Sequence, residues 1–258
     1  MSRLRAKCPD CRTYTAVAVG PEYQCHSCGR EFAAGLVRVP RAWGDGGHAM
    51  VQAARLPLDY PEAAVVEEDS LAAQNLALAA GLPDRPLVLG GCCCSHVGAV
   101  EGLAARHDAI SLLWFDAHGD LNTPDSSPSG NQWGMPLRML IDAGTVEPAN
   151  VALLGARSLD PPEVEFIERS GIQVGSDAVD RALDGCSCVY VAVDADSFDP
   201  SEVTSFMPEP AGLRLDDVAA TLIAARERST VVGAGLTGLT PDPANVDRMQ
   251  RLTRALGL

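Results

Sequence analysis

The sequence lacks what a membrane-spanning or secreted protein would need. Its 258 residues contain no apolar run of about 18 residues, and the start, MSRLRAKCPD, has no signal-peptide apolar region. Internal repeats and low-complexity tracts are also missing from the sequence. We therefore expect no membrane span and a cytoplasmic location. A hydrophobic content of 47% is enough to bury one large core and leaves room for a small appendage.

Basic residues are scarce, with 20 Lys and Arg against 34 Asp and Glu, which gives a net charge of −14. This deficit is uneven along the chain. The first 41 residues hold seven basic and three acidic residues, a balance of +4 that leaves −18 for the remainder. An acidic body argues against nucleic acid as its substrate. For the basic first segment, contact with nucleic acid stays open.

Four of the nine cysteines form two matched pairs, Cys8-x2-Cys11 and Cys25-x2-Cys28. Each short turn lets two thiolates point inward, and four thiolates complete a closed tetrahedral structural zinc site. Neither pair lies in a thioredoxin-like βαβ pattern, which argues against redox-active pairs. The sequence therefore predicts a zinc ribbon over residues 1–36 with one structural zinc. Whether this ribbon docks on a partner, contacts nucleic acid or covers an active site stays open.

Apolar runs alternate with helical stretches through residues 37–258. The predicted strands are Pro86–Leu89, Ile110–Phe115, Val151–Leu154, Ile172–Val174, Cys188–Val193 and Val231–Leu236. The predicted helices are Ser70–Ala80, Val97–Arg106, Leu137–Ala143, Pro162–Arg169, Leu215–Arg228 and Asn245–Leu256. This alternation predicts an α/β fold in which helices cover both faces of a parallel sheet. Residues 37–47 are interpreted as a linker or a loop at the edge of an active site. His48 follows, and a surface histidine is a plainer interpretation of it than a metal ligand.

Five polar side chains follow two predicted strands: Asp116, His118 and Asp120 come after the first, and Asp194 and Asp196 come after the second. Residues two apart in extended chain point the same way, so each set can converge on one point. Carboxylates with an imidazole suit Mn, Fe, Ni or Zn. Without one or two divalent cations, five such groups would repel one another in a low-dielectric cleft. Loop-capping aspartates are the alternative for either motif alone.

Three segments, DAHGDLNTP from Asp116, PSGNQWGMP from Pro128 and VDADSFDPS from Val193, resemble motifs of the arginase/agmatinase ureohydrolase family. This resemblance covers about Leu87–Pro241 and implies a three-layer α/β/α fold and hydrolysis of guanidino compounds. It implies that the five side chains bind metal, with manganese expected, and that the protein is a homo-oligomer. Asp120 would also touch the attacking water and pass a proton to the leaving nitrogen.

The sixth metal ligand departs from the family, whose pattern Gly-Gly-Asp-His-Ser supplies a histidine. Here the chain reads Gly-Gly-Cys-Cys-Cys-Ser-His from Gly90, and ungapped spacing puts Cys93 at the position of the histidine. Cys92 and His96 are the alternatives. A thiolate is softer than imidazole and shifts the expected preference from Mn towards Zn, Fe or Ni.

The resemblance also implies a substrate site. Its members would be Asn122, Ser129, Asn131, Trp133 and Asp160, with Ser127 as a near match. Trp133 stands where arginases have a histidine, and Gly238 stands where the family has a glutamate that grips the guanidinium. We therefore expect hydrolysis of a C–N bond in a guanidine, amidine or hydroxyguanidine of an amino-acid-like small molecule. The alternative is a non-catalytic metal-binding protein that uses the ribbon as its interaction surface.

Overall fold

A computed structural model describes residues 5–258, so the first four residues of the predicted ribbon lie outside the described part. The chain begins with a small four-stranded antiparallel sheet. Its strands are β1 (Arg5–Ala6), β2 (Ala16–Val19), β3 (Glu22–Cys25) and β4 (Glu31–Phe32). The two cysteine pairs lie in the turns beside these strands.

A seven-stranded sheet follows, and every neighbouring pair of strands in it is parallel. Its strands are β5 (Gly35–Val39), β6 (Glu62–Val65), β7 (Pro86–Gly90), β8 (Ser111–Phe115), β9 (Val151–Leu154), β10 (Cys188–Asp194) and β11 (Thr230–Thr237). Across the sheet the order is β6-β5-β7-β11-β10-β8-β9. The central strands are buried on both faces, which explains their nearly continuous apolar sequences.

Eight α-helices cover this sheet in the described residues. They are α1 (His48–Ala53), α2 (Leu71–Gly81), α3 (Ser95–Ala104), α4 (Pro136–Asp142), α5 (Pro161–Ser170), α6 (Ala178–Leu183), α7 (Leu215–Arg228) and α8 (Ala244–Ala255). Within residues 5–258, each helix is too short or too polar to cross a bilayer.

Two apolar cores lie on opposite faces of the sheet. Successive strand residues alternate between them, so Leu113 joins the core under α6, α7 and α8, whereas Leu112 joins the core under α2, α3 and α4. Fully buried helix residues such as Leu222 and Leu103 complete the two cores. The predicted α/β fold with a parallel sheet between helical layers is confirmed.

Local sequence signals explain where helices begin and end. Ser70 caps α2 as predicted, because its Oγ accepts a hydrogen bond from the Ala73 N–H at 3.2 Å. At the start of α5, Asp160 and Glu163 form a reciprocal capping box, and Gly171 ends the helix with φ 90°. Gly81, predicted to lie beyond α2, is instead its last residue.

The interpretation of residues 37–47 as a linker or loop was wrong for Val37–Val39. These residues belong to β5, which lies between β6 and β7. Arg38 interrupts the apolar pattern that would indicate a buried strand, so β5 was not predicted from the sequence. Its guanidinium is nevertheless satisfied inside the protein, pairing with Glu62 at 2.7 Å and donating to the Ala54 and Leu56 carbonyls. The strand β6 and helices α1 and α6 were also missed, while the predicted strand Ile172–Val174 is reduced to a single bridge between Gln173 and Ala152.

Candidate metal centre and substrate pocket

The predicted metal-binding side chains meet at the carboxyl edge of the sheet. Strands β8 and β10 are neighbours, and Phe115 pairs with Val193, the residue before Asp194. Asp116 therefore emerges beside Asp194 at one edge. Asp196 follows in a short 3-10 turn, in which the Asp194 side chain accepts the Asp196 N–H at 3.0 Å. The parallel register brings together two motifs that are far apart in sequence.

The side chains form two overlapping groups. Within each group, the ligand atoms all lie within 4.8 Å of one another. One contains Cys93, Asp116 and Asp120, and the other contains Asp116, His118 and Asp196. His118 Nδ1 lies 3.1 Å from Asp196 Oδ2 and 3.4 Å from Asp116 Oδ1. Asp116 belongs to both groups, whereas Asp194 belongs to neither and contacts the cluster through Cys93.

Cys93 is the candidate sixth ligand that the structure places in the cluster. Its Sγ lies 2.9 Å from Asp194 Oδ2 and 3.6 Å from Asp116 Oδ2. Cys92 Sγ instead faces the Trp43 N–H at 3.4 Å. His96 is fully buried, with its ring nitrogens 3.1 Å from Tyr190 Oη and 3.3 Å from Thr237 Oγ1. The geometry therefore favours Cys93 over the two alternatives.

The carboxyl groups of the cluster are buried close together, an arrangement that a cation would stabilise. Burial, and then the charge of Asp196, raises the pKa of Asp194 to about 7. Burial and the charges of Asp116 and Asp194 raise the pKa of Asp120 well above its usual value. Burial alone would lower the pKa of His118, but its contacts with Asp116 and Asp196 outweigh this and raise it to about 12. The buried carboxylates thus lack a counter-charge beyond one imidazole.

One buried oxygen, Asp120 Oδ2, has no hydrogen-bond partner among residues 5–258. An unpartnered buried carboxylate oxygen is costly, and Asp120 also adopts a left-handed backbone with φ 53°. A cation facing this oxygen would satisfy it. The donors here, four carboxylates with one imidazole and one thiol, fit one or two divalent transition-metal ions.

A cavity of about 370 Å³ opens over this cluster. Four of the predicted substrate residues line it: Asn122, Ser129, Trp133 and Asp160. Asn122 Nδ2 donates to Asp160 Oδ2 at 2.8 Å, so these two polar groups act as a unit. Asn131 accepts the Asp45 N–H through its Oδ1 at 3.0 Å, which ties two loops together beside the cavity. Its role in binding substrate stays a prediction.

Other residues that line the cavity form an apolar wall. The ring of Trp133 meets that of Phe206 edge to face, with centroids 5.9 Å apart, and Met207 continues this surface. Gly238 lies between this wall and the metal cluster with φ 66°, and a Cβ there would collide with the Asp194 carboxylate. This backbone therefore leaves no room for a carboxylate side chain at position 238.

Glu209 is a lining residue that sequence reasoning missed. Its Oε1 lies 3.8 Å from His118 Nε2, on the side of the ring away from the carboxylates. Arg157 fixes the loop by donating to the Glu209 carbonyl at 2.9 Å and to the Asp196 carbonyl at 2.7 Å. Glu209 follows no apolar strand, so its sequence carried no comparable signal. Glu163, also missed, accepts the Leu121 N–H at 2.9 Å and supports the loop that carries Asp120.

Together, the parallel sheet and the acidic cluster at its carboxyl edge define a class: three-layer α/β proteins with a cleft whose acidic side chains could hold metal. The chain belongs to the arginase family, whose sequence pattern matches residues 44–256. Arginase from Bacillus subtilis is 37% identical over 142 residues, covering 45% of this chain and 48% of that protein. The chain spans about half the length of the curated relatives it matches. The predicted family is confirmed.

Solved structures agree on the fold. A crystal structure of arginase from Bacillus subtilis superposes with a TM-score of 0.76 at 24% identity, covering 86% of this chain and 97% of that one. Proclavaminate amidino hydrolase from Streptomyces clavuligerus gives a TM-score of 0.68 at 20% identity, covering 86% of this chain and 90% of that one. At these identities the likeness concerns the fold alone. The family's matched region excludes the ribbon.

Proposed function

We propose that the chain hydrolyses a C–N bond in a guanidine, amidine or hydroxyguanidine carried by an amino-acid-like small molecule. The observation that carries this proposal is the buried cluster of carboxylates, imidazole and thiol beneath a cavity with one polar and one apolar wall. Residues 37–258 would form the catalytic part. Residues 1–36 would form a ribbon that holds one structural zinc.

One or two divalent cations would be held by six residues: Cys93, Asp116, His118, Asp120, Asp194 and Asp196. When bound, such cations acidify water and so supply a nucleophile near neutral pH. Manganese is expected from the family, while the Cys93 thiolate favours Zn, Fe or Ni. The unpartnered Asp120 Oδ2 supports the fit, because a cation would satisfy it.

The chain's own residues would then orient the substrate and move one proton. Hydrolysis forms a carbon–oxygen bond from water and breaks the bond from carbon to the leaving nitrogen, which must gain a proton. Asp120 would make this transfer, and its position in both the ligand cluster and the lining of the cavity supports this role. Glu209 would hold the His118 ring from its outer side.

The cavity walls suggest which substrates fit. The Asn122–Asp160 pair suits an α-ammonium group, whereas Trp133 and Phe206 offer apolar surface towards the reacting end. The absence of a carboxylate at Gly238 removes the group that would pair with a guanidinium cation. An adjacent oxygen lowers the basicity of nitrogen, so an N-hydroxyguanidine needs less charge compensation than arginine.

The test is a side-by-side measurement of kcat/KM for arginine, N-hydroxyarginine, agmatine, guanidinobutyrate and formimino-amino acids, each with Mn, Zn, Fe and Ni. We expect N-hydroxyarginine or another weakly basic analogue to be preferred over arginine. A preference for arginine with every metal would contradict the expected preference for weakly basic substrates. Hydrolysis of none of these compounds would favour the non-catalytic alternative, in which the altered positions Trp133 and Gly238 mark lost activity.

A further inference from the structure

The two cysteine pairs of the ribbon form matching turns. In the first, Arg12 N–H bonds back to the Cys8 carbonyl at 2.9 Å, and in the second, Gly29 N–H bonds to the Cys25 carbonyl at 2.7 Å. Arg12 and Gly29 both have a left-handed backbone, with φ of 56° and 75°. Each turn therefore presents its two thiols in the same way.

The four thiols meet between these turns. All four Sγ atoms lie within 4.8 Å of one another: Cys8, Cys11, Cys25 and Cys28. Cys11 Sγ is 3.4 Å from Cys25 Sγ, and the four cysteines are free thiols. Four thiols at this spacing form a closed ligand set with no open position for a substrate, as in structural zinc sites.

The ribbon has little else to hold it together. Among residues 5–36, its buried apolar cluster contains six residues, two of which are the candidate ligands Cys8 and Cys25. A segment of this size cannot bury enough apolar surface to fold without a metal or a disulfide. Arg12 adds the cost of a non-glycine residue in a left-handed conformation. A metal crosslink supplies the missing stability.

The ribbon is joined to the edge of the catalytic sheet. Lys7, the residue before the ligand Cys8, exchanges two backbone hydrogen bonds with Glu62 of the edge strand β6, at 3.0 and 2.9 Å. The Glu62 carboxylate pairs with Arg38 of β5. Tyr23 of the ribbon packs on Gly35 so closely that a Cβ there would lie 2.7 Å from the ring. The ribbon thus pairs with the edge strand of the sheet at its first residue, Glu62.

From this edge the chain runs directly to the substrate cavity. Two residues separate β4 of the ribbon from β5, and β5 leads into residues 40–47. The Trp43 carbonyl accepts the Gln132 N–H at 3.0 Å, and Asp45 N–H donates to Asn131. A side chain at Gly44 would collide with the Trp133 ring. Residues 40–47 therefore brace the loop that carries Trp133.

We infer that zinc bound by the four ribbon cysteines fixes β5, β6 and residues 40–47, and so sets the position of the Trp133 wall of the cavity. The site is structural. Its effect reaches the cavity through β5 and residues 40–47, which connect the ribbon to the loop that carries Trp133. This inference rests on the proposed function for its activity measurement alone.

The first test measures bound metal in the full-length protein. Cys25→Ser is compared with Cys186→Ser, which removes a buried thiol outside both clusters. After dialysis, we expect Cys25→Ser to hold one zinc per chain fewer than wild type and Cys186→Ser, whichever metal the cleft holds. The cleft variant Asp194→Asn should keep the ribbon zinc. Equal zinc content in Cys25→Ser and wild type, or a disulfide between the two cysteine pairs, would overturn the site.

The second test measures backbone hydrogen exchange in the same proteins. Loss of zinc should speed exchange by about tenfold or more in peptides covering residues 35–47 and 62–65. Peptides covering β8 and β10 should change little. If Cys25→Ser does not fold, Asp194→Asn is stripped with a chelator and reloaded with zinc alone, and reloading should restore slow exchange. Unchanged exchange at 62–65, or an equal rise in every strand, would overturn the coupling.

The third test is kinetic. In the zinc-free ribbon variant loaded with cleft metal, kcat/KM should fall about tenfold, because the Trp133 wall is displaced. Cys186→Ser should match wild type, and equal kcat/KM in both variants would contradict an effect on the cavity. If wild type hydrolyses no substrate, the proposed function fails, while the zinc and exchange measurements still decide this inference.

Discussion

Both the ribbon and the cleft bring together side chains of metal-ligating types from separate segments of the chain. They do so in different ways. The ribbon uses four thiols on two matching turns, and their Sγ atoms all lie within 4.8 Å of one another. The cleft uses mostly carboxylates at the ends of two strands, and it opens into a cavity of about 370 Å³. A closed thiolate set suits structural support, whereas an open carboxylate set leaves room for water and substrate.

The two clusters also differ in what supports them. In the cleft, the sheet and its two apolar cores fix the ligands, so the strands β8 and β10 would persist without metal. In the ribbon, two of the ligands are themselves part of the small core. We therefore expect metal loss from the cleft to change chemistry and metal loss from the ribbon to change structure.

The largest expected effect is that of Asp120→Asn. This change keeps the shape of the side chain but removes a charge from the cluster and the oxygen able to carry a proton. We expect turnover to fall by more than about a hundredfold, because even outer partners of metal ligands reach that range. The measurement is kcat/KM together with metal content.

The matched control is Asp125→Asn, an exposed aspartate in the same loop. It should leave turnover and metal content as in wild type. Asp120→Asn should keep the ribbon zinc and the wild-type exchange pattern in β6. Loss of ribbon zinc in Asp120→Asn would contradict the independence of the two clusters.

The next effect concerns Cys93, the thiol of the candidate metal cluster. Cys93→His replaces a soft thiolate with the imidazole expected from the family, and it should raise affinity for Mn relative to Zn by about tenfold. Competition between the two metals, read as bound metal per chain, measures this ratio. Cys186→Ser is the control. A ratio unchanged by Cys93→His would mean that position 93 does not contact the metal.

Much of the fold could be predicted from local patterns. Helix α7 begins and ends at the predicted residues, β10 is one residue longer than predicted at its end, and β11 is one residue longer at each end. What failed was β5, since Arg38 breaks its apolar run. A charged residue in a buried strand is acceptable only through partners distant in sequence, here Glu62 and the end of α1. Such pairing has no local signature.

Some residues of the candidate site could likewise be predicted from local sequence patterns, and others could not. Asp116, His118, Asp194 and Asp196 could be predicted because they follow buried strands at a spacing of two residues. The assignment of Cys93 as the sixth ligand rested on ungapped spacing within one turn. Its contact with Asp194 supports that assignment. Glu209 could not be found, because its place beside His118 depends on a loop that Arg157 holds through backbone carbonyls.

Glu209→Gln should have a smaller effect than either cleft ligand. Its carboxylate is partly exposed and lies 3.8 Å from His118 Nε2, so it would orient the ring more weakly than a buried partner. We expect metal affinity to fall by no more than about tenfold, with kcat affected through metal occupancy. Isothermal titration of metal measures the affinity. Glu202→Gln in the same loop, whose carboxylate faces Arg214, should not change it.

The smallest effect tests the two turns of the ribbon against each other. Arg12 and Gly29 occupy equivalent left-handed positions, yet only Gly29 adopts that conformation without strain. Arg12→Gly removes a conformational cost of about 1–2 kcal/mol, partly offset by the greater freedom of glycine in the unfolded chain. We expect zinc affinity to rise by up to about fivefold, equivalent to about 1 kcal/mol.

The reciprocal change Gly29→Ala should weaken zinc binding by a similar factor, whereas Gly130→Ala, at a left-handed glycine in the cleft loop, should leave zinc affinity unchanged. Competition with a zinc-binding dye gives all three values, and an Arg12→Gly affinity at or below that of wild type would show that the turns are not equivalent.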